Sequence, residues 1–151
     1  MIYYDFIRRR VSFGYQSLYL FDKWFRKKPQ KRTEAEKVVI DKLESLQDVP
    51  LYFSEVTFGE LHYGIARSQR KEQNQEKLEF LKKLLYPLPV IEYVWKLFGE
   101  TLGDLHNQGK AIADRDLLIA CTAKIYDLIR VTNDKNFDNL PNTFKKINWV
   151  K

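Results

Sequence analysis

The stretch Ala111–Asp134, "AIADRDLLIACTAKIYDLIRVTND", decides the fold. Leu117, Leu118, Ile119, Ala120, Cys121 and Ala123 place apolar side chains on every face of a helical wheel. A helix that is apolar all round is a buried one. The β-branched run Leu128–Thr132, "LIRVT", then reads as a strand. The helix opens with two acids, Asp114 and Asp116, on either side of Arg115. One acid suffices at a helix start, where it accepts from free backbone amides and opposes the helix dipole. Asp114 takes that capping role. Asp116 is left inside the first turn beside apolar neighbours, where a carboxylate is costly unless it is paired or bound to a cation.

Working outward, the same alternation recurs. "MIYYD", residues 1–5, is a short apolar run that ends in an acid and reads as a first strand. Residues 15–28 carry Leu18, Phe21, Trp24 and Phe25 at helical spacing and stop before Pro29. "TEAEKVVIDKLESLQ" predicts a second helix, and "LYF" after Pro50 a strand. Helices are expected over Thr57–Ser68, Glu72–Leu85 and Val94–His106, the last ended by Gly109. "PVIEY" reads as a weak strand and "FKKINWV" as a last edge strand. Strands alternating with helices predict an α/β sandwich around a mostly parallel sheet, in one domain over residues 1–151. In such folds the chemistry lies at the carboxyl ends of the strands.

Composition narrows the function classes. Cys121 is the only cysteine, so no disulfide forms within the chain, which suits a reducing cytoplasm. His62 and His106 lie far apart and lack zinc spacing. No apolar run approaches the ~20 residues of a membrane span, and arginines at once interrupt any signal-peptide pattern. The entire net charge of +6 falls in residues 1–40, where ten Lys/Arg face four acids. A basic amino-terminal segment beside a neutral body suits a polyanionic partner, and suits equally a solvated helix end.

Four acids stand at or near strand ends: Asp5 after "MIYY", Glu60 shortly after "LYF", Asp116 at the mouth of the buried helix and Asp134 just after "LIRVT". Each has an ordinary alternative. Asp134 suits a turn, Thr57 and Glu60 have capping-box spacing, and Asp5 suits a frayed terminus. Taken together they predict a carboxylate cluster on one edge of the sheet, and such a cluster repels itself unless a counter-ion joins it. Carboxylates without histidine or cysteine select hard cations such as Mg²⁺ or Mn²⁺. A divalent ion beside a basic segment fits phosphodiester hydrolysis by an activated water.

"SEVTFGELHYGIARSQR" (Ser54–Arg70), "GKAIADRDLLIACTA" (Gly109–Ala123) and "IRVTNDKNFDNLPN" (Ile129–Asn142) resemble a PIN-domain ribonuclease, and most of all the VapC-type toxins of bacterial toxin–antitoxin pairs. The resemblance runs from about Ser54 to Trp149. It implies a PIN-like three-layer sandwich and a Mg²⁺- or Mn²⁺-dependent endoribonuclease acting on RNA. It further implies a cytoplasmic homodimer restrained by a cognate antitoxin. By the same likeness Glu60, Asp116 and Asp134 are metal-site acids, Thr132 a supporting hydroxyl and Asp114 an auxiliary acid.

The amino terminus departs from the family pattern, in which the first strand ends in Asp followed by Thr or Ser and Asn. Phe6 and Ile7 follow Asp5 instead. Asp22, at the end of "LYLFD", stands 38 residues before Glu60, an ordinary family spacing, against 55 for Asp5. Asp22 however sits in the middle of the 15–28 helix, so Asp5 is the preferred fourth acid. In a further reading neither serves, and the chain is an impaired module that binds RNA or antitoxin without cleaving. A response-regulator-like domain, which also has an acidic Mg²⁺ pocket, ranks lower because no phospho-accepting Asp and late Lys can be placed. The aromatic run Phe13, Tyr15, Tyr19, Phe21, Trp24 and Phe25 reads as core plus dimer face, or as an antitoxin groove.

Overall fold

The computed structural model of the chain describes residues 11–13, 34–45, 51–132 and 135–149. In chain order the elements are β1 (Val11–Phe13), α1 (Glu34–Ser45), β2 (Leu51–Ser54), α2 (Glu55–Ala66), α3 (Lys71–Leu84), β3 (Leu85–Leu88), α4 (Glu92–Asn107), α5 (Asp114–Ile125), β4 (Ile129–Val131), a 3₁₀ turn (Lys135–Asn139) and β5 (Lys146–Ile147). The strands form one sheet in the order β3-β2-β1-β4-β5. All four pairings are parallel, with Phe13 opposite Phe53 on one side and Val131 on the other. The α/β class with helices flanking a parallel sheet is thus the one expected.

That strand order places the site. From β1 the chain moves outward through β2 to β3, and β4 and β5 then lie on the other side of β1. The direction of winding reverses between β1 and β4, and open α/β sheets bind ligands in the crevice at the strands' carboxyl ends at such a point. Helix α5 leads into β4 through the tight turn Tyr126–Leu128, in which Asp127 adopts a positive φ of 50° and the Leu128 amide bonds to the Ala123 carbonyl at 2.7 Å. The helix therefore runs back along the sheet, and its first turn returns to the carboxyl edge.

The core explains why α5 is apolar all round. Val94, Leu105, Leu117, Ala120, Cys121, Phe137, Leu140 and Phe144 form one buried cluster, with Leu97, Phe98 and Leu102 of α4 packed against it. Helix α5 also packs on α2, β2 and β4. Leu117, Ile119, Ala120, Cys121, Thr122 and Ala123 are buried along it. The α4 face expected from the sequence, Val94 to Leu105, is the face turned to this cluster. Gly109 ends the connection after α4 with φ +64°, its amide bonded to the His106 carbonyl at 3.0 Å.

Three local expectations are corrected, and one strand is added. "PVIEY" is not a strand: β3 is Leu85–Leu88, and Glu92 and Tyr93 begin α4. β3 carries Pro87, tolerated because β3 is an edge strand. The Thr57–Glu60 capping box does not form. Helix α2 starts earlier, and Ser54 caps it by accepting from the Val56 amide at 3.2 Å. Asp114 is not the cap of α5: Ala113 holds that position without a side-chain hydrogen bond, and Asp114 is the first helical residue. A strand that the sequence reading did not assign, Val11–Phe13, occupies the centre of the sheet. The expected "MIYYD" strand and the 15–28 helix lie outside the described residues.

Candidate functional site

The site is built from the two helices that meet the carboxyl edge. Ser54, the last residue of β2, is 2% exposed. Its hydroxyl lies 3.4 Å from that of Thr122 on α5 while it caps α2. This contact ties the start of α2 to the middle of α5 and fixes how the two approach. Thr57 and Glu60 are three residues apart and share one face of α2. Thr57 is fully buried, and its Oγ1 has no hydrogen-bond partner among the described residues.

Glu60 reaches across to the first turn of α5. Its Oε1 accepts from Nη1 of Arg115 at 2.8 Å. The two partners differ in setting, since the Glu60 side chain is 13% exposed and that of Arg115 67%. The other oxygen, Oε2, is buried without a hydrogen-bond partner among the described residues. Burial raises the Glu60 carboxyl above its ordinary range, the Arg115 charge opposes that rise, and the Asp116 charge adds to it. Two carboxylates from elements more than fifty residues apart in sequence therefore feel each other at one place. Asp116 is half-buried in the first turn of α5, whereas Asp114 beside it is exposed.

Thr132 follows β4 at the same edge. It is 7% exposed, and its amide bonds to the Ile147 carbonyl at 3.0 Å. Beneath it, Arg130 is 1% exposed, with Cζ 3.9 Å from the centre of the Phe137 ring. Its Nε and Nη2 have no hydrogen-bond partner among the described residues. Burial lowers the Arg130 guanidinium to a pKa of about 10, against which the charge of Asp116 acts.

Of the four acids expected from the sequence, the structure sets Glu60 and Asp116 within electrostatic reach of each other. Asp134 and Asp5, with the alternative Asp22, lie outside the described residues, and among those described no group of three or more His, Cys, Asp or Glu forms a metal cage. The described pair still fits a hard divalent cation. Both donors are carboxylates, they repel one another, and Glu60 Oε2 is a buried acceptor left without a donor. His62 packs edge-on against Phe58 instead, with ring centres 4.5 Å apart.

Sequence reasoning gave no role to Ser54, Arg115 or Arg130. Two of these carry a legible signal. A cation in the first turn of a helix opposes the helix dipole and needs a partner, which describes Arg115. A charged residue inside a β-branched run is out of place, which describes Arg130.

Comparisons with known proteins agree with the fold. The model of the PIN domain family matches residues 23–142. The curated protein Ribonuclease VapC2 of Rickettsia felis is 37% identical over 102 residues, 65% of this chain and 73% of that protein. Ribonuclease VapC2 of Haemophilus influenzae is 32% identical over 101 residues, 64% of this chain and 74% of that protein. Among solved structures, VapBC2 from Rickettsia felis bound to a DNA fragment from its promoter has a TM-score of 0.78 at 28% identity, covering 92% of this chain and 98% of that one. VapBC-1 from nontypeable Haemophilus influenzae has a TM-score of 0.77 at 24% identity, covering 93% and 98%, a likeness of fold. Among the described residues no helix is long and apolar enough to cross a membrane.

Proposed function

The chain belongs to the PIN-domain family, in its VapC branch, and from that premise we propose that it is a ribonuclease toxin whose cleavage of RNA depends on Mg²⁺ or Mn²⁺. The observation that carries the metal dependence is the meeting of Glu60 and Asp116 at the carboxyl edge, with Glu60 Oε2 buried and lacking a donor. Glu60 and Asp116 are the acids that would hold the ion, joined by Asp134 and Asp5, whose positions lie outside the described residues. Bound there, the ion supplies an activated water and offsets charge that develops on the phosphate.

The protein's own groups do the rest. Burial on α2 keeps Glu60 away from bulk water, and the Ser54–Thr122 contact holds α2 and α5 at a set separation. Asp116 is presented by a helix whose remaining turns are locked in the core. Thr132 offers a hydroxyl at the same edge, held by its backbone bond to β5. The basic amino-terminal segment draws the RNA strand by its charge. No side-chain nucleophile is required. The cognate partner in this reading is an antitoxin protein, and the toxin is a cytoplasmic homodimer. The comparisons, which match proteins named ribonuclease, do not favour the alternative of a binding module without activity.

The experiment is cleavage of end-labelled RNA by the metal-stripped chain, with Mg²⁺ or Mn²⁺, with EDTA and with Asp116→Asn. Cleavage that yields 5′-phosphate ends, needs the added ion and falls at least about a hundredfold in the variant is the expected result. Cleavage unchanged by EDTA and by the substitution refutes the reading.

A further inference from the structure

Arg115 is a cation that the structure joins directly to a proposed metal-site acid, Glu60. It lies in the first turn of α5, where the helix dipole disfavours a positive charge. It is 67% exposed, so no packing demands it there. Its contact is one oxygen of Glu60 at 2.8 Å, while the other oxygen of that carboxylate stays buried without a donor.

We propose that Arg115 is a positioning residue, a placeholder cation that holds Glu60 at the pocket until a divalent ion enters and then gives way to it. The proposal rests on the metal-dependent reading above. Without an ion, the Asp116 charge acts unfavourably on the Glu60 carboxylate, and the Arg115 guanidinium paired with Glu60 offsets that repulsion from the solvent side. A divalent ion seated on Glu60 and Asp116 makes this single charge redundant and repels it. Arg115 can leave at little cost, because its side chain is mostly in water already. Glu60 cannot leave, because it is buried.

Linkage then fixes the sign. A group that stabilises only the ion-free state weakens ion binding by the factor of that stabilisation. Removing Arg115 must therefore tighten the ion and destabilise only the ion-free protein. A residue that merely braces α2 against α5 would affect both states alike.

The test uses Mn²⁺ alone as probe on the metal-stripped full chain. Calorimetric titration and thermal melts compare the wild type with Arg115→Gln and with Lys110→Gln, a charge control at an exposed position between α4 and α5. Arg115→Gln should bind Mn²⁺ about 2- to 5-fold more tightly, the upper part of the range for an exposed ion pair. It should melt below the wild type without Mn²⁺ and level with it at saturation. Lys110→Gln should bind within about twofold of the wild type, as expected of a screened surface charge. Equal or weaker binding by Arg115→Gln overturns the proposal, as does a melting deficit that survives saturation or equal tightening by Lys110→Gln. If the wild type takes up no Mn²⁺, the metal-dependent reading fails and the placeholder falls with it. If the wild type binds Mn²⁺ but Arg115→Gln does not differ from it, the placeholder alone fails.

Discussion

Replacing Arg130 by methionine should make the protein more stable. Arg130 heads the fully buried side chains by size, and two of its nitrogens lack acceptors among the described residues. Burial lowers its pKa from the ordinary guanidinium range to about 10, against the opposing pull of Asp116. At about 1.4 kcal/mol per tenfold, that drop is a penalty of about 3 kcal/mol carried by the folded state at neutral pH. A lowered folded value for a cation means that the penalty is present below about pH 10 and is relieved as pH rises above it. Methionine fills much of the same space and keeps a sulfur–aromatic contact with Phe137, but forfeits about 1–2 kcal/mol of cation–π attraction. The balance favours Arg130→Met by about 1–2 kcal/mol, in line with other replacements of buried charge by apolar groups. In a domain of this length that is a rise of about 2–8 °C in Tm. Urea unfolding followed by circular dichroism, with a thermal melt on the same samples, measures both quantities in the ion-free protein. A fall of several degrees would refute the reasoning, since it would mean that the guanidinium satisfies groups which methionine leaves stranded. Arg130→Ala serves as a control and should be less stable than Arg130→Met, because it opens a cavity beside Phe137.

Two further outcomes follow from titrating groups. Glu60 is raised above its ordinary value by burial, so the folded state holds its proton more tightly than the unfolded chain. The stability of the ion-free protein should then fall as pH rises through the range just above 4.5, and Glu60→Gln should flatten that part of a Tm-against-pH profile. A profile unchanged by the substitution contradicts the burial of Glu60. Cys121, fully buried on α5, has its thiol pushed up to about 12 by burial, against the pull of Lys124, a Thr101 hydrogen bond and Arg130. Iodoacetamide at pH 8 should label it at least about a thousandfold more slowly in the folded protein than in urea, since reaction waits on opening. Labelling at the rate of a free thiol would mean that α5 does not pack as described.

The helices were legible because each carries its own evidence of burial. Val94 to Leu105 shows a single apolar face, and α5 shows apolar residues all round. The short strands were less so. β1 is three residues long and held by partners on both sides, so its place depends on β2 and β4. β3 contains a proline that reads as a breaker, and only its edge position makes the residue acceptable. The caps misled for a related reason. Ser54, Thr57 and Asp114 are all good capping residues, and the choice among them follows from where packing sets the start of each helix.

The order and chemical type of the acids, the apolar character of α5 and the alternation of helix with strand are properties of the linear chain, since each depends on neighbours within a few residues. By themselves they identify the α/β class and single out Asp5, Glu60, Asp116 and Asp134 as candidate acids. Pairing of Arg115 with one Glu60 oxygen, the stranding of the other, and the burial of Arg130 against Phe137 depend on contacts between distant segments. Tertiary packing alone decides these, because a side chain's solvation and its charged neighbours are set by what the fold brings against it.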